Sequence, residues 1–90
     1  MLDKSFKYQL KAKAHSLKPV VLLGSKGLTQ AVIDETDQML SVNELIKVKL
    51  TGVEKDDRKT TAESICQSLN AELIQIIGHV ATIYRKKVEI

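Results

Sequence analysis

Residues 19–30 of the chain read PVVLLGSKGLTQ, and this stretch decides the fold. A short apolar run over 20–23 stops at Gly24, Gly27 follows, and Thr29 opens a segment with helical spacing. The pattern predicts a strand that enters a Gly-x-x-Gly loop and continues into the N-terminus of a helix. Glycines allow a sharp turn and the close approach of another backbone. A helix N-terminus adds free amides and a positive dipole end, so the stretch suits a phosphate group. A turn that needs glycine only for its geometry is the alternative interpretation.

The residues before this stretch predict a first helix over Ser5–Leu17. Its apolar stripe has helical spacing and consists of Phe6, Leu10, Ala14 and Leu17. A second stripe is basic and consists of Lys4, Lys7, Lys11 and Lys18. The basic stripe fits either a solvated helix face or an anionic partner. Pro19 ends the helical region, and the continuous apolar run after it predicts a strand buried on both faces.

The residues directly after the loop predict a second helix and a second strand. Thr29 is expected to cap a helix that runs to about Leu40 and has an acidic outer face. The segment 44–51 then alternates between apolar and polar residues. This alternation predicts a strand with one face in the core, and with Lys47 and Lys49 on a more open face.

The last third of the chain predicts a helix and a hairpin. The helix is expected over 58–69, with Asp56 or Asp57 as its cap and Asn70 as a left-handed stop. Two strands follow over 73–77 and 80–84, joined by a turn at Gly78-His79. The predicted order is α-β-α-β-α-β-β, in one α/β domain spanning residues 1–90. Because helices connect the early strands and a tight turn connects the last two, we expect a four-stranded mixed sheet with packed helices.

Composition limits the classes of protein to consider. The chain has 90 residues, 43% of them apolar, and a net charge of +3, which fits a small globular domain with an anionic partner. It has no apolar run long enough for a membrane helix and no secretory signal, and it has a single cysteine, so we expect a cytoplasmic protein. Aromatic residues make up only 3%, which excludes an aromatic platform for stacking bases.

The residues that could carry catalysis do not form a complete set. His15 and His79 fall at a helix end and in a turn, and Cys66 lies on the apolar stripe of the third helix. The chain has no metal-ligand spacing, and its glycine loop lacks the ending of a nucleotide P-loop. We therefore expect no enzyme, no metal and no cofactor.

Three blocks of sequence together resemble the stand-alone bacterial CRM-domain family, often called the YhbY family. They are residues 17–29, residues 44–50, and residues 76–78 followed by 83–85. The resemblance implies a compact α/β fold similar to the C-terminal domain of bacterial translation initiation factor three. It also implies RNA binding through a Gly-x-x-Gly loop comparable to that of KH domains. Bacterial members of the family are associated with precursors of the large ribosomal subunit.

The sequence thus predicts an RNA-binding protein that acts in assembly of the large ribosomal subunit, with ribosomal RNA as partner, as a monomer. From the resemblance, the RNA-binding residues are Gly24, Ser25, Lys26, Gly27, Lys47, Lys49 and Arg85. From the residue pattern we add Thr29, Lys18 and Lys86. Two alternatives remain open. One is a protein adaptor on assembling ribosomes without direct RNA recognition, and the more remote one is a small enzyme acting on a phosphorylated substrate.

Overall fold

The computed structural model describes residues 3–87. The elements are α1 (Lys4–Ala14), β1 (Val21–Leu22), α2 (Gln30–Val42), β2 (Leu45–Lys49), α3 (Arg58–Leu69), β3 (Glu72–Ile77) and β4 (Val80–Tyr84). A short 3-10 turn, Lys55–Asp57, leads into α3. The predicted order of helices and strands is confirmed, as is the α/β class with its four-stranded mixed sheet.

The strands lie in the order β1-β2-β4-β3. β1 is parallel to β2, whereas β4 is antiparallel to both of its neighbours. β1 and β3 are therefore the two edges of the sheet. The strand β4 was predicted to pair with β3 through a tight turn, and it does so, with Gly78 at a φ of +60° as such a turn favours. β4 also inserts between β2 and β3, which lie in the same direction on either side of it.

The two faces of the sheet are covered unequally. α2 and α3 pack on one face, where Ile46, Val48 and Ile83 are almost fully buried. α1 crosses the other face and contacts β2 and β3. There the ring of Phe6 meets that of Tyr84 edge-on, with 5.4 Å between the centroids. Because α1 ends at Ala14 and covers only part of this face, the remainder is open to solvent.

Helix caps follow the predicted residues in part. The Thr29 hydroxyl accepts a hydrogen bond from the Val32 amide at 3.3 Å, so Thr29 caps α2 as predicted. Asp57 occupies the cap position of α3, yet its side chain makes no capping hydrogen bond, because the preceding 3-10 turn already places it in helical backbone conformation. Asn70 ends α3 in the left-handed conformation, with φ of 54°, as predicted.

Two predictions about the N-terminal third were wrong. The first helix stops at Ala14, so Leu17 and Lys18 lie beyond it and do not extend its apolar and basic stripes. The strand β1 is not buried on both faces, because the side chain of Val21 is fully buried whereas that of Leu22 is 59% exposed. The physical reason is that β1 is an edge strand whose second face lies beyond the reach of α1.

The left-handed residue at the end of α3 gives a stability prediction. Asn70→Ala is expected to lower the free energy of unfolding by about 1 kcal/mol, because a Cβ without a local polar partner is disfavoured at positive φ. Asn70→Gly should leave it unchanged or raise it slightly. Urea unfolding of the three proteins checks this, and equal midpoints for the alanine and glycine variants would contradict it.

Candidate nucleic-acid interface

The Gly-x-x-Gly loop forms a tight turn at one rim of the sheet. The amide of Gly27 donates a hydrogen bond to the carbonyl of Gly24 at 3.0 Å, which closes the turn around Ser25 and Lys26. Both central side chains are exposed. The turn therefore presents a hydroxyl and an ammonium group to solvent at the point where β1 passes into α2.

The two glycines of the loop serve different purposes. Gly27 has a φ of +73°, so its backbone conformation itself favours glycine. Gly24 does not have a positive φ, and a Cβ built on it would meet no atom within 4 Å. The fold alone therefore does not require glycine at position 24. Its missing side chain instead leaves open surface, which another molecule's backbone can approach.

The start of α2 adds electropositive backbone beside the turn. Thr29 accepts from Val32 through its hydroxyl and from Ile33 through its carbonyl. The first amides of the helix, at Gln30 and Ala31, have no carbonyl one turn earlier within the helix. These amides and the helix dipole point towards the same rim as the loop. The Thr29 hydroxyl is engaged by its own helix.

Two of the predicted lysines lie along β2 beside the loop strand. Lys49 is paired in register with Leu22, two residues before the loop. Lys47 lies about 7 Å further along β2 on the same face, where its ammonium group donates to the carbonyl of Leu17 at 3.1 Å. Lys18 is exposed just before β1 begins. With Lys26 on the loop, these four lysines follow the β1 edge of the sheet.

The remaining two predicted residues lie elsewhere. Arg85 and Lys86 follow β4, and since β4 is antiparallel to β2, they lie at the end of the sheet opposite the loop. The Arg85 side chain is only 22% exposed, and its guanidinium forms an ion pair with Asp37 at 2.7 Å. It also donates to the carbonyls of Asp37 and Leu69 and to the Ser41 hydroxyl. Arg85 therefore ties the C-terminal ends of α2 and α3 to β4, whereas Lys86 is exposed and distant from the loop.

Exposed apolar side chains beside the lysines were missed by the sequence patterns. Val20 and Leu22 were assigned to the core, yet they are 44% and 59% exposed. The sequence held only an indirect indication that these two side chains are exposed. A strand as short as 20–23 next to an alternating basic strand is consistent with an edge that is buried on one face only.

The titratable side chains of the described residues were compared with the arrangements that bind metal ions. Across residues 3–87, no group of three or more His, Cys, Asp or Glu side chains is placed to hold a metal ion. Cys66 is buried, as predicted. Burial raises the pKa of its thiol to about 12, with Glu72 and Glu63 adding to the shift, so the thiol is neutral near pH 7. No helix in the same range is long and apolar enough to cross a membrane.

Comparison with known protein families identifies the family of this chain. Residues 2–85 match the sequence model of the CRS1 / YhbY (CRM) domain. The chain belongs to the CRS1/YhbY (CRM) domain family. The match includes the loop, all three helices and the whole sheet, so the family resemblance expected from three short blocks extends over nearly the entire chain.

Individual relatives of this CRM-domain chain carry names that state RNA binding. "Probable RNA-binding protein PA4753" of Pseudomonas aeruginosa is 41% identical over 85 residues, which covers 94% of this chain and 82% of that protein. A Haemophilus influenzae protein named "RNA-binding protein" is 40% identical over 80 residues, covering 89% and 81% of the two chains. Neither name states an enzymatic activity.

A solved structure supports the CRM-domain fold directly. The solution structure of SAV1595 from Staphylococcus aureus, a candidate RNA-binding protein, superposes with a TM-score of 0.86 at 35% sequence identity. The superposition covers 99% of this chain and 93% of that one.

The contacts of Arg85 give a stability prediction. Arg85→Ala should lower the free energy of unfolding by about 1–3 kcal/mol, because it removes charge-assisted hydrogen bonds to three residues. Arg85→Lys should recover little of this, since one ammonium cannot reproduce the planar fork. Lys86→Ala is the control and should change stability by less than about 0.5 kcal/mol. Thermal unfolding of the three variants tests the assignment, and an unchanged Arg85→Ala midpoint would refute it.

The Cys66 thiol gives a prediction about reactivity. Its raised pKa and burial should make it react with an aromatic disulfide reagent far more slowly than a free cysteine through pH 8. Addition of denaturant should restore the ordinary rate, because unfolding exposes the thiol and returns its pKa to the ordinary value of about 9.0. The absorbance of the released thiolate measures both rates. A fast reaction of the folded protein would show that the thiol is accessible and ionised.

Proposed function

We propose that this CRM-domain chain binds RNA by contacting its sugar-phosphate backbone with the loop Gly24–Thr29 and the lysines along the β1 edge. Phosphate oxygens would accept hydrogen bonds from the free amides at the start of α2, and Lys26 would add a positive charge at the turn. Base identity would matter little, because backbone contacts carry no sequence information.

One observation carries this proposal: the open space at Gly24. Neither its backbone angle nor its neighbours require a glycine there, and the exposed turn beside it carries a lysine. A glycine that the fold does not need, placed at a helix N-terminus, is suited to the close approach of a phosphate backbone. The names of the relatives, which state RNA binding, point to the same ligand.

We infer a smaller RNA footprint than the ten residues that the sequence indicated. Lys26 and Lys49 lie at the loop end of the β1 edge, Lys47 lies further along β2, and Lys18 lies before β1 at the end away from the loop, whereas Arg85 is engaged within the fold and Lys86 is remote. Along β1 and β2, no ion pair neutralises these four lysines within residues 3–87. About four phosphate contacts imply a log–log salt slope near −3 for single-stranded RNA.

The RNA we propose is ribosomal RNA on a precursor of the large subunit. The support is the resemblance to bacterial family members that associate with such precursors. Weak dependence on base sequence fits a factor that meets one site on a large assembly, because the surrounding ribosomal particle can supply the specificity. Binding of a ribosomal protein without RNA is the competing proposal.

Loop variants test the RNA contact. Ser25→Asp with Lys26→Asp changes the loop charge by three units and should lower affinity for a labelled ribosomal RNA fragment by more than about tenfold at low salt. Gly24→Ala should lower affinity while leaving the thermal midpoint unchanged, because its Cβ has room in the folded protein. Fluorescence anisotropy at several salt concentrations measures both effects.

A matched charge control separates the loop from net charge. Lys59→Asp with Ser64→Asp makes the same substitutions on exposed positions of α3, away from the β1 edge. This control should retain most of the parent affinity. An equal loss of RNA affinity in both double variants would show that binding depends only on net charge. Intact affinity in the folded loop variant would remove the loop from the mechanism.

A further inference from the structure

The open part of the sheet carries a continuous row of side chains beside the loop. Leu22 of β1 is in register with Lys49 of β2, Lys49 with Val80 of β4, and Val80 with Ile77 of β3. Residues paired in register lie side by side on the same face of a sheet. We call Leu22, Lys49, Val80 and Ile77 the outer row, because it crosses all four strands at the rim nearest the loop.

Three of the four residues in the outer row are apolar, and the two at its ends are open to solvent. Leu22 is 59% exposed and Ile77 is 61% exposed, while Val80 and Lys49 are half-buried. The neighbouring row on the same face includes Thr82, which is only 1% exposed. The neighbouring row is thus covered at its centre, whereas both ends of the outer row are open to solvent, one of them beside the loop.

The charges around the outer row favour an anionic occupant. Lys49 lies within it, and Lys47 lies in the next row, where Lys47 is in register with Thr82 and Thr82 with Gln75. Neither row contains a carboxylate. The loop with Lys26 follows Leu22 by two residues, so Leu22 and the turn are about 7 Å apart along the chain. An apolar surface framed by lysines suits a ligand with flat apolar groups on a negatively charged backbone.

We propose that the outer row receives the unstacked bases of single-stranded RNA whose backbone is held by the loop. This inference rests on the proposed function and adds the ligand class, since it selects single strands over duplexes. In a duplex the faces of the bases are stacked on one another and cannot reach Leu22 or Ile77, whereas loops and bulges expose them. Four strands at about 4.8 Å separation give a row about 14 Å long, enough for about two or three bases.

The apolar row also explains how a chain with few aromatic residues can contact bases. Aliphatic side chains remove the faces of the bases from water, although each contact is weaker than aromatic stacking. The phosphate contacts would then supply most of the affinity, and the outer row would supply the preference for single strands.

The experiment compares four proteins with three ligands. The proteins are the parent, Leu22→Ser, Ile77→Ser and Val42→Ser, the last being a control because Val42 is 61% exposed at the end of α2. The ligands are a labelled eight-nucleotide RNA, its duplex, and an abasic chain of the same length. The parent should bind the intact single strand most tightly. Each outer-row variant should lose about three- to tenfold for this strand, with no loss for the abasic chain. Val42→Ser should match the parent throughout.

The loop double variant Ser25→Asp with Lys26→Asp distinguishes this inference from the proposed function. If it loses affinity for both the intact and the abasic chain while Leu22→Ser and Ile77→Ser lose none, the outer row is not a base surface and the RNA function stands. If no variant loses affinity, both proposals fail. Equal parental affinity for duplex and single strand would overturn the inference. If the outer-row variants retain RNA affinity but lose association with ribosomal particles, the row binds a protein and the inference fails.

Discussion

Three helices have to cover the two faces of a four-stranded sheet, and they do so unequally. α2 and α3 bury most of one face, so that Val48 and Ile83 are almost inaccessible. α1 alone serves the other face and reaches only one end of it. Because a helix of 11 residues is only about 16 Å long, it cannot cover the whole of that face. The open remainder lies where the glycine loop leaves β1, and both proposed contacts with RNA depend on this arrangement.

The basic residues of the chain are divided between support and surface by the same architecture. Arg85 lies where β4 emerges between α2 and α3, so its guanidinium can satisfy carbonyl groups at the ends of both helices. Lys49 lies on the opposite face beside the loop strand and meets no carboxylate in the part of the chain described. Two residues of the same charge therefore differ in their surroundings. Arg85 is hydrogen-bonded within the fold, whereas Lys49 is available to an anion.

Local patterns in the sequence predicted the elements well. The alternation in β2, the capping by Thr29 and the left-handed stop at Asn70 each depend on residues close together in the chain, and each is confirmed. The prediction that β1 is buried on both faces was wrong, because a continuous apolar run does not show whether its strand lies at the centre or at the edge of a sheet. Leu22 is exposed only because β1 is an edge and α1 stops short of it.

The sequence by itself determined the order of helices and strands, the glycine turn and the family, because these follow from spacing and from residue type at neighbouring positions. Only the tertiary structure decided which basic residues share a surface. Lys49 and Arg85 are both next to strands and equally basic in the sequence, but the register of β2 against β4 places them at opposite ends of the sheet. The outer row is likewise a product of strand pairing, since its four residues are up to 58 positions apart in the chain and meet only across the sheet.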